Sequence, residues 1–262
     1  MGFCLHNNAA VAALAAQAAG ARKDVHHGNG TQEIFEQNKS VLYISLHRHE
    51  GGKFYPGTGA AVEVGSMGAE GYCVNIPWSR GGVGDNDYGF AFQHVVLPIA
   101  LEFNPDFTIV SAGFDAARGD PLGCCDVSPT GYAHMTHMLN TLSGGKLLVI
   151  LEGGYNLRSI SSSATAVIKV LLGESPGCEL ENSFPSKAGL QTVLEVLKIQ
   201  MNFWPSLGPI FVNLESQWRM YCFEKKRKQI KKRRRVLVRM WRWGRKRFLF
   251  HFLNGHLNVK SK

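Results

Sequence analysis

The chain is predicted to adopt an α/β fold with a mostly parallel central sheet and helices on both of its faces. Three observations predict it: four short apolar runs of strand length, helix-patterned stretches between them, and polar, glycine-flanked clusters where runs end. In chain order, Asn8 precedes AAVAALAAQAA and then Gly20, the pattern of a capped, very apolar helix stopped by glycine. Residues 40–47 (SVLYISLH) and 71–78 (GYCVNIPW) are the first two strand-like runs. Residues 88–103 (YGFAFQHVVLPIALEF) have helical spacing that Pro98 should kink or bound. Residues 107–114 (FTIVSAGF) form the third run. Ser128 and Pro129 then supply an N-cap and a first-turn proline for a helix to about Leu142. Residues 146–155 (KLLVILEGGY) hold the fourth run, and a helix from about Leu157 to Leu172 stops at Gly173. Residues 173–186 read as a linker, with an amphipathic helix from there to about Phe203. The sequence carries no internal repeat.

With 262 residues and 45% apolar composition, the chain can bury one large core and is neither a disordered nor a collagen-like polymer. No uncharged apolar run reaches 18 residues, the minimum for a spanning helix. The start MGFCLHNNAA lacks the basic-then-apolar order of a secretory signal. Six cysteines, none in C-x-x-C spacing and two adjacent (Cys124, Cys125), suit neither a disulfide framework nor a structural zinc finger. An intracellular, reducing setting is expected. The net charge of +9 conceals a division: residues 1–221 carry 13 Lys+Arg against 19 Asp+Glu, and residues 222–262 carry 16 Lys+Arg against Glu224 alone. An acidic body precedes a basic tail.

Ligands of open parallel sheets bind beyond the carboxyl ends of strands. FTIVSAGF leads there to Asp115 and KLLVILEGG to Tyr155. A third cluster, DVHHGNG (24–30), follows AAQAAGARK, which reads as the end of a helix with two charges. Asp24, His26 and Asp115 are candidate metal ligands. In an extended segment Asp-x-His puts an oxygen and a nitrogen on one side, and a carboxylate from a neighbouring strand end adds a third donor. Three protein donors with an open position describe a catalytic site for Zn(II), and mixed O/N ligation equally admits Fe(II) or Mn(II).

Four motifs stand in order: DVHHGNGT, SLHRHEGGKFYPGTG, SAGFDAARGDPLG and LEGGYN. Together they resemble the metal-dependent histone deacetylase family, in its class II branch and most like the plant members. The resemblance runs from Gly2 to about Gly173 and implies a partial catalytic domain over residues 1–173. A linker and helical region (174–221) and a basic, aromatic-rich tail (222–262) follow. It implies the arginase–deacetylase α/β fold and hydrolysis of N-acetyl-lysine. One Zn2+ would be held by Asp24, His26 and Asp115, and the Tyr155 hydroxyl would stabilise the tetrahedral oxyanion. Gly153 and Gly154 would let the backbone approach the substrate. Phe3 and Tyr55 match the walls of the channel for the acetyl-lysine stem. Leu122 matches the place where polyamine-deacetylating relatives carry an acidic gatekeeper, so peptidyl acetyl-lysine is the expected substrate. His27 is expected to support the ligands rather than act in catalysis, and His47, His49 and His94 to be packing or surface residues. Ser45 and Leu46 fall near the family's monovalent-cation loop, so a structural monovalent cation is a second implied ion.

The sequence also departs from the family pattern. The tandem histidines that serve as general base and acid in relatives fall upstream of GFC, outside residues 1–262. Relatives also reach Asp-x-Asp-x-His-His from an apolar strand, whereas Arg22-Lys23-Asp24 stands here. The fold is therefore expected to be incomplete, lacking an internal strand and the first of those aspartates.

In the tail, Lys225, Lys226, Arg227, Lys228, Lys231, Lys232, Arg233, Arg234 and Arg235 form a basic run that suits a nuclear-import signal. RMWRWGRKRFLFHFLNGHL (239–257) interleaves arginine with aromatics, but no nucleic-acid-binding motif accompanies it, and specific nucleic-acid binding is not expected. The sequence reading is thus a zinc-dependent lysine deacetylase of the nucleus, with the cytoplasm as a second compartment. It would act on acetylated histone tails or other acetylated proteins in transcriptional repression, and a co-repressor complex is the expected assembly. The competing reading is an inactive deacetylase fragment that binds partners through its tail.

Overall fold

The structure, a computed structural model, describes residues 7–16, 19–23, 25–177 and 184–220, with residues 16 and 19–23 described by backbone alone. Phe3, Asp24, residues 178–183 of the expected linker and the basic tail lie outside the described residues. The chain divides into two compact units, residues 1–212 and 213–262; in the second, residues 213–220 are described and helical. The sheet and the candidate site belong to the first.

Among the described residues, five strands form one parallel sheet: β1 (Ala19–Lys23), β2 (Tyr43–Arg48), β3 (Cys73–Trp78), β4 (Thr108–Ala112) and β5 (Leu147–Leu151), in spatial order β3-β2-β1-β4-β5. β4 is buried at every residue, β2 at all but Arg48 and β3 at all but Pro77. Successive strand residues point to opposite faces, so unbroken burial means that both faces of these strands are covered. The cover comes from helices α1 (Asn8–Ala16), α2 (Asn29–Phe35), α3 (Asp85–Ala91), α4 (Leu97–Phe103), α5 (Pro129–Asn140), α6 (Leu157–Leu171) and α7 (Lys187–Gln200). α1 packs on β4 and α2, α7 on β3 and α3, and α5 on α6 and α3.

Three expectations are corrected. The stretch expected as a helix end is instead β1, which lies between β2 and β4. Ala21 pairs with Ile44 of β2 on one side and with Val110 of β4 on the other. The reason lies in the neighbours. Without a strand between them, β2 and β4 would bury ladder N–H and C=O groups with no partner, at about 1–3 kcal/mol for each group. Five residues suffice to satisfy both. Because Ala19–Lys23 is drawn into the sheet, α1 ends at Ala16 instead of continuing to Gly20. Its cap is also shifted by one residue, since the Asn7 Oδ1 accepts the Ala10 N–H at 2.9 Å. Third, β5 is not a fully covered strand. It is the last strand of the sheet, and Leu151 is 65% exposed.

Other expectations hold. Pro98 lacks an N–H and its ring crowds the His94 carbonyl. The turn before it widens into a π-helix, Phe92–Val96, so the helical stretch continues with α4 rather than breaking. Ser128 caps α5 by accepting the Gly131 N–H, and Ser186 caps α7 by accepting the Gly189 N–H. Asn156 caps α6, and Gly173 follows it with φ of 94°.

Candidate active site

The chemistry-bearing residues gather beyond the carboxyl ends of the strands. β4 delivers Asp115, β5 delivers Tyr155, β2 delivers Arg48, and the segment after β1 delivers His26 and His27. Asp115 is fully buried, and both carboxylate oxygens face that last segment. Oδ1 accepts the Val25 N–H at 2.9 Å, and Oδ2 lies 3.1 Å from Nδ1 of His26. Two of the three expected metal ligands, 89 residues apart in the chain, therefore converge. Among the described residues no group of three or more His, Cys, Asp or Glu side chains is placed to hold a metal, the third expected ligand being Asp24. A buried carboxylate oxygen and an imidazole nitrogen at one point are donors that suit a divalent cation.

The ring of His26 is stacked against Phe54, with centroids 5.3 Å apart, and meets Tyr55 edge-on at 6.1 Å. The Arg48 guanidinium in turn lies over the Phe54 ring, 4.4 Å from its centroid. Arg48 is fixed by Glu50 through Nε and Nη2, both at 2.7 Å, and Nη1 donates to the Gly123 carbonyl. Tyr55, expected as a channel wall, is 58% exposed beside this cluster. Phe54 was not singled out from the sequence, although it adjoins Tyr55 in the same motif.

Behind His26 lies a buried polar chain whose proton positions can be deduced. Glu63 can only accept, and it takes the Gln32 side-chain N–H at 2.8 Å. The Gln32 Oε1 must therefore face His27 and accept from its Nε2 at 3.0 Å, while also accepting from Asn75 at 2.7 Å. The other ring nitrogen of His27, Nδ1, lies 2.9 Å from the Thr58 hydroxyl. His47 is arranged alike: its Nε2 donates to the Gly59 carbonyl and its Nδ1 accepts from Ser45, both at 2.9 Å. Burial would raise the Glu63 carboxyl, but N–H donors from Ala60, Gln32 and Gly59 and the nearby His27 outweigh it, and the net shift is downward. The network ties the His26–His27 segment to the loop bearing Phe54 and Tyr55.

On the opposite flank, the loops after β4 and β5 are joined. Phe114 N–H donates to the Gly153 carbonyl, Asn156 Nδ2 to the Gly119 carbonyl, and the Ser159 hydroxyl to the Arg118 carbonyl. A fourth link runs from the Tyr155 N–H to Oδ2 of Asp120, at 2.7 Å. Tyr155 itself is 44% exposed at the site's edge. Gly154 has φ of 136°, and a Cβ there would stand 2.9 Å from Ile160 and 3.1 Å from Phe114, so only glycine fits. Leu122, on the loop after β4, is 53% exposed. Asp120 escaped sequence reasoning despite lying within a quoted motif, because its partner is 35 residues away.

Residues 1–171 match the family model for the histone deacetylase domain. The chain belongs to the histone deacetylase family. All of it aligns with histone deacetylase 15 of Arabidopsis thaliana at 69% identity, covering 49% of that protein. It aligns over 79% of its length with histone deacetylase clr3 of Schizosaccharomyces pombe at 49% identity, covering 32% of that protein. Among solved structures, the fold is similar to the crystal structure of the HDA15 HD domain (TM-score 0.77, 74% identity, 82% of this chain and 61% of that one). It is also similar to the histone deacetylase Clr3 (TM-score 0.71, 51% identity, 73% of this chain and 32% of that one). The chain thus spans about half the length of the curated plant relative it matches. These neighbours agree with the fold expected from the four motifs, and the high identity to a plant deacetylase agrees with the expected branch.

Proposed function

We propose that this deacetylase-family protein is a zinc-dependent protein-lysine deacetylase acting on acetylated histone tails or other acetylated proteins in nuclear transcriptional repression. The observation that carries the reading is the approach of His26 Nδ1 to Asp115 Oδ2 at 3.1 Å beyond the central strands. Asp24, His26 and Asp115 would hold the ion. When bound, Zn2+ supplies Lewis-acid polarisation of the acetyl carbonyl and activation of water. The chain's own residues do the rest. Val25 N–H and His26 hold the Asp115 carboxylate in place, and Phe54 keeps the His26 ring from turning. Tyr155 donates its hydroxyl to the developing oxyanion, a contact worth about 2.7–4 kcal/mol in the transition state. Phe3 and Tyr55 flank the acetyl-lysine stem, and apolar Leu122 at the rim favours a peptide over a cationic polyamine.

A second reading, binding of acetyl-lysine or partners without turnover, is favoured by one observation. His27 and His47 each have both ring nitrogens engaged inside the protein, so neither is placed to take a proton from water at the site. Zinc analysis and acetate release from an acetyl-lysine peptide separate the two readings. The deacetylase reading expects one zinc per chain and turnover, both lost in Asp115→Ala. Zinc and peptide binding without acetate release would establish the second reading. A zinc-free chain would overturn the deacetylase reading.

A further inference from the structure

Asp120 lies five residues after Asp115 on the loop that leaves β4, and it is 6% exposed. Each of its oxygens accepts backbone N–H groups. Oδ1 takes those of Leu122 at 2.8 Å and Gly123 at 3.0 Å, and Oδ2 takes that of Tyr155 at 2.7 Å. Charge-assisted bonds of this kind are short and strong, and a buried carboxylate with three donors has little freedom to move. Gly123 is fixed independently, because its carbonyl accepts Arg48 Nη1 at 3.2 Å and a Cβ on it would collide with the Asp115 carbonyl. The residue after Tyr155 is fixed too, by Asn156 Nδ2 donating to the Gly119 carbonyl at 2.7 Å.

One loop therefore carries two carboxylates with divided tasks. Asp115 reaches to the segment holding His26, and Asp120 reaches to the segment holding Tyr155. We infer that Asp120 is a positioning residue that sets the distance between the oxyanion-donating Tyr155 and the metal-binding pair His26–Asp115. The inference rests on the proposed deacetylase site and adds to it a residue that touches neither substrate nor metal. Its physical basis is that Tyr155 follows the end of β5, 44% exposed, with its backbone N–H held by Asp120. Displacement of a catalytic group by about 1 Å can cost about 100-fold. Such a residue should matter more when the bound group is tetrahedral than when it is planar.

The test uses the whole chain loaded with zinc and two probes: an acetyl-lysine peptide, and the same peptide bearing a trifluoromethyl ketone, which hydrates to a tetrahedral diol. Asp120→Asn keeps the shape but cannot accept from all three N–H groups. It is expected to retain one zinc per chain and to bind the acetyl peptide within about 3-fold of the parent, while binding the ketone about 10- to 100-fold more weakly. Tyr155→Phe should show the same selective loss, and combining the two should add little to either. Asn156→Ser, which keeps a helix-capping oxygen but drops the Gly119 contact, should weaken the ketone selectively to a smaller extent. Equal weakening of both probes, unchanged ketone affinity, or zinc loss in both Asp120→Asn and Asn156→Ser would overturn the positioning role. A parent chain that binds the ketone no better than the acetyl peptide would overturn the deacetylase site itself. The two failures are therefore distinguishable.

Discussion

Asp115, Asp120 and Glu63 share one device: a carboxylate that collects backbone N–H groups, from a distant segment for Val25 and Tyr155 and from its own loop for the others. Asp115 holds Val25, Asp120 holds Leu122, Gly123 and Tyr155, and Glu63 holds Gly59 and Ala60. The segments after β1 and β5 are thus each tied to the loop after β4 by a carboxylate of that loop, which suits a site made of loops rather than of strand interiors. At Cys73, the first residue of β3, burial prevails. It raises the thiol to about 12, with the nearby Glu36 and Glu63 adding to the rise. The folded pKa exceeds the ordinary 9.0, so the unfolded chain loses this proton first as pH rises. The stabilising contribution is complete below pH 9 and declines up to about pH 12, by at most about 1.4 kcal/mol per pH unit. Urea unfolding at pH 8, 9 and 10 should show falling stability, with a shallower fall in Cys73→Ala; an unchanged slope in that variant would show that other groups set it. At this scale the sequence singled out Asp115, His26 and Tyr155 because the proposed metal and oxyanion chemistry restricts residue type, and the fold brings His26 to Asp115. It missed Phe54 and Asp120, whose roles depend on neighbours that only the fold brings close.

Helix α3 begins with two aspartates, and each one governs the start of another helix. Asp85 accepts the Ser128 N–H at 2.7 Å and the Ser128 hydroxyl at 2.6 Å, at the start of α5. Asp87 accepts the Ser186 N–H at 2.7 Å, at the start of α7. In both helices glycine stands three residues after the serine, and in both the reason is steric. A Cβ on Gly131 would lie 2.1 Å from Asp85 Oδ1, and one on Gly189 would lie 2.1 Å from Asp87 Oδ1. Negative charge at a helix N-terminus is favourable, and glycine is what lets the carboxylate come so near. Helix propensity alone expects Gly→Ala at these places to stabilise by about 1 kcal/mol. The opposite outcome is expected here: Gly131→Ala and Gly189→Ala should each lower stability by about 1–3 kcal/mol in urea unfolding, because the carboxylate must leave its donors. A gain in stability would refute the close packing. Elements with strong local signals, such as the Ser128-Pro129 start of α5 and the Gly173 stop of α6, were legible in the sequence. β1 was not. Ala19–Lys23 has neither apolar alternation nor β-branched residues, and it forms a strand because β2 and β4 flank it.

Over the whole chain, the parallel order β3-β2-β1-β4-β5 follows from elements that alternate along the sequence, and the carboxyl-end placement of the motifs was legible for the same reason. Sequence could not show which strand would lie at an edge, because an apolar run reads alike wherever it pairs; Leu148 and Leu151 on β5 are exposed for that reason. Charge is the other property of the whole molecule. Residues 1–221 hold six more acidic than basic residues, while residues 222–262 hold 16 Lys and Arg against one Glu. An acidic body repels phosphate-rich surfaces, so any affinity for them must come from the tail and weaken steeply with salt. Nine of the tail's cations fall within residues 225–235, the kind of Lys/Arg-rich run that suits a nuclear-import signal, and the proposed histone substrate would require nuclear entry. A fluorescent reporter fused to residues 222–262 should therefore accumulate in nuclei. Changing Lys225, Lys226, Arg227, Lys228, Lys231, Lys232, Arg233, Arg234 and Arg235 to glutamine, with the aromatic residues 239–257 left intact, should return it to an even distribution. Accumulation that survives this change would place the signal in the Arg- and Trp-bearing stretch instead, and a reporter that never accumulates would remove the tail from the case for a nuclear protein.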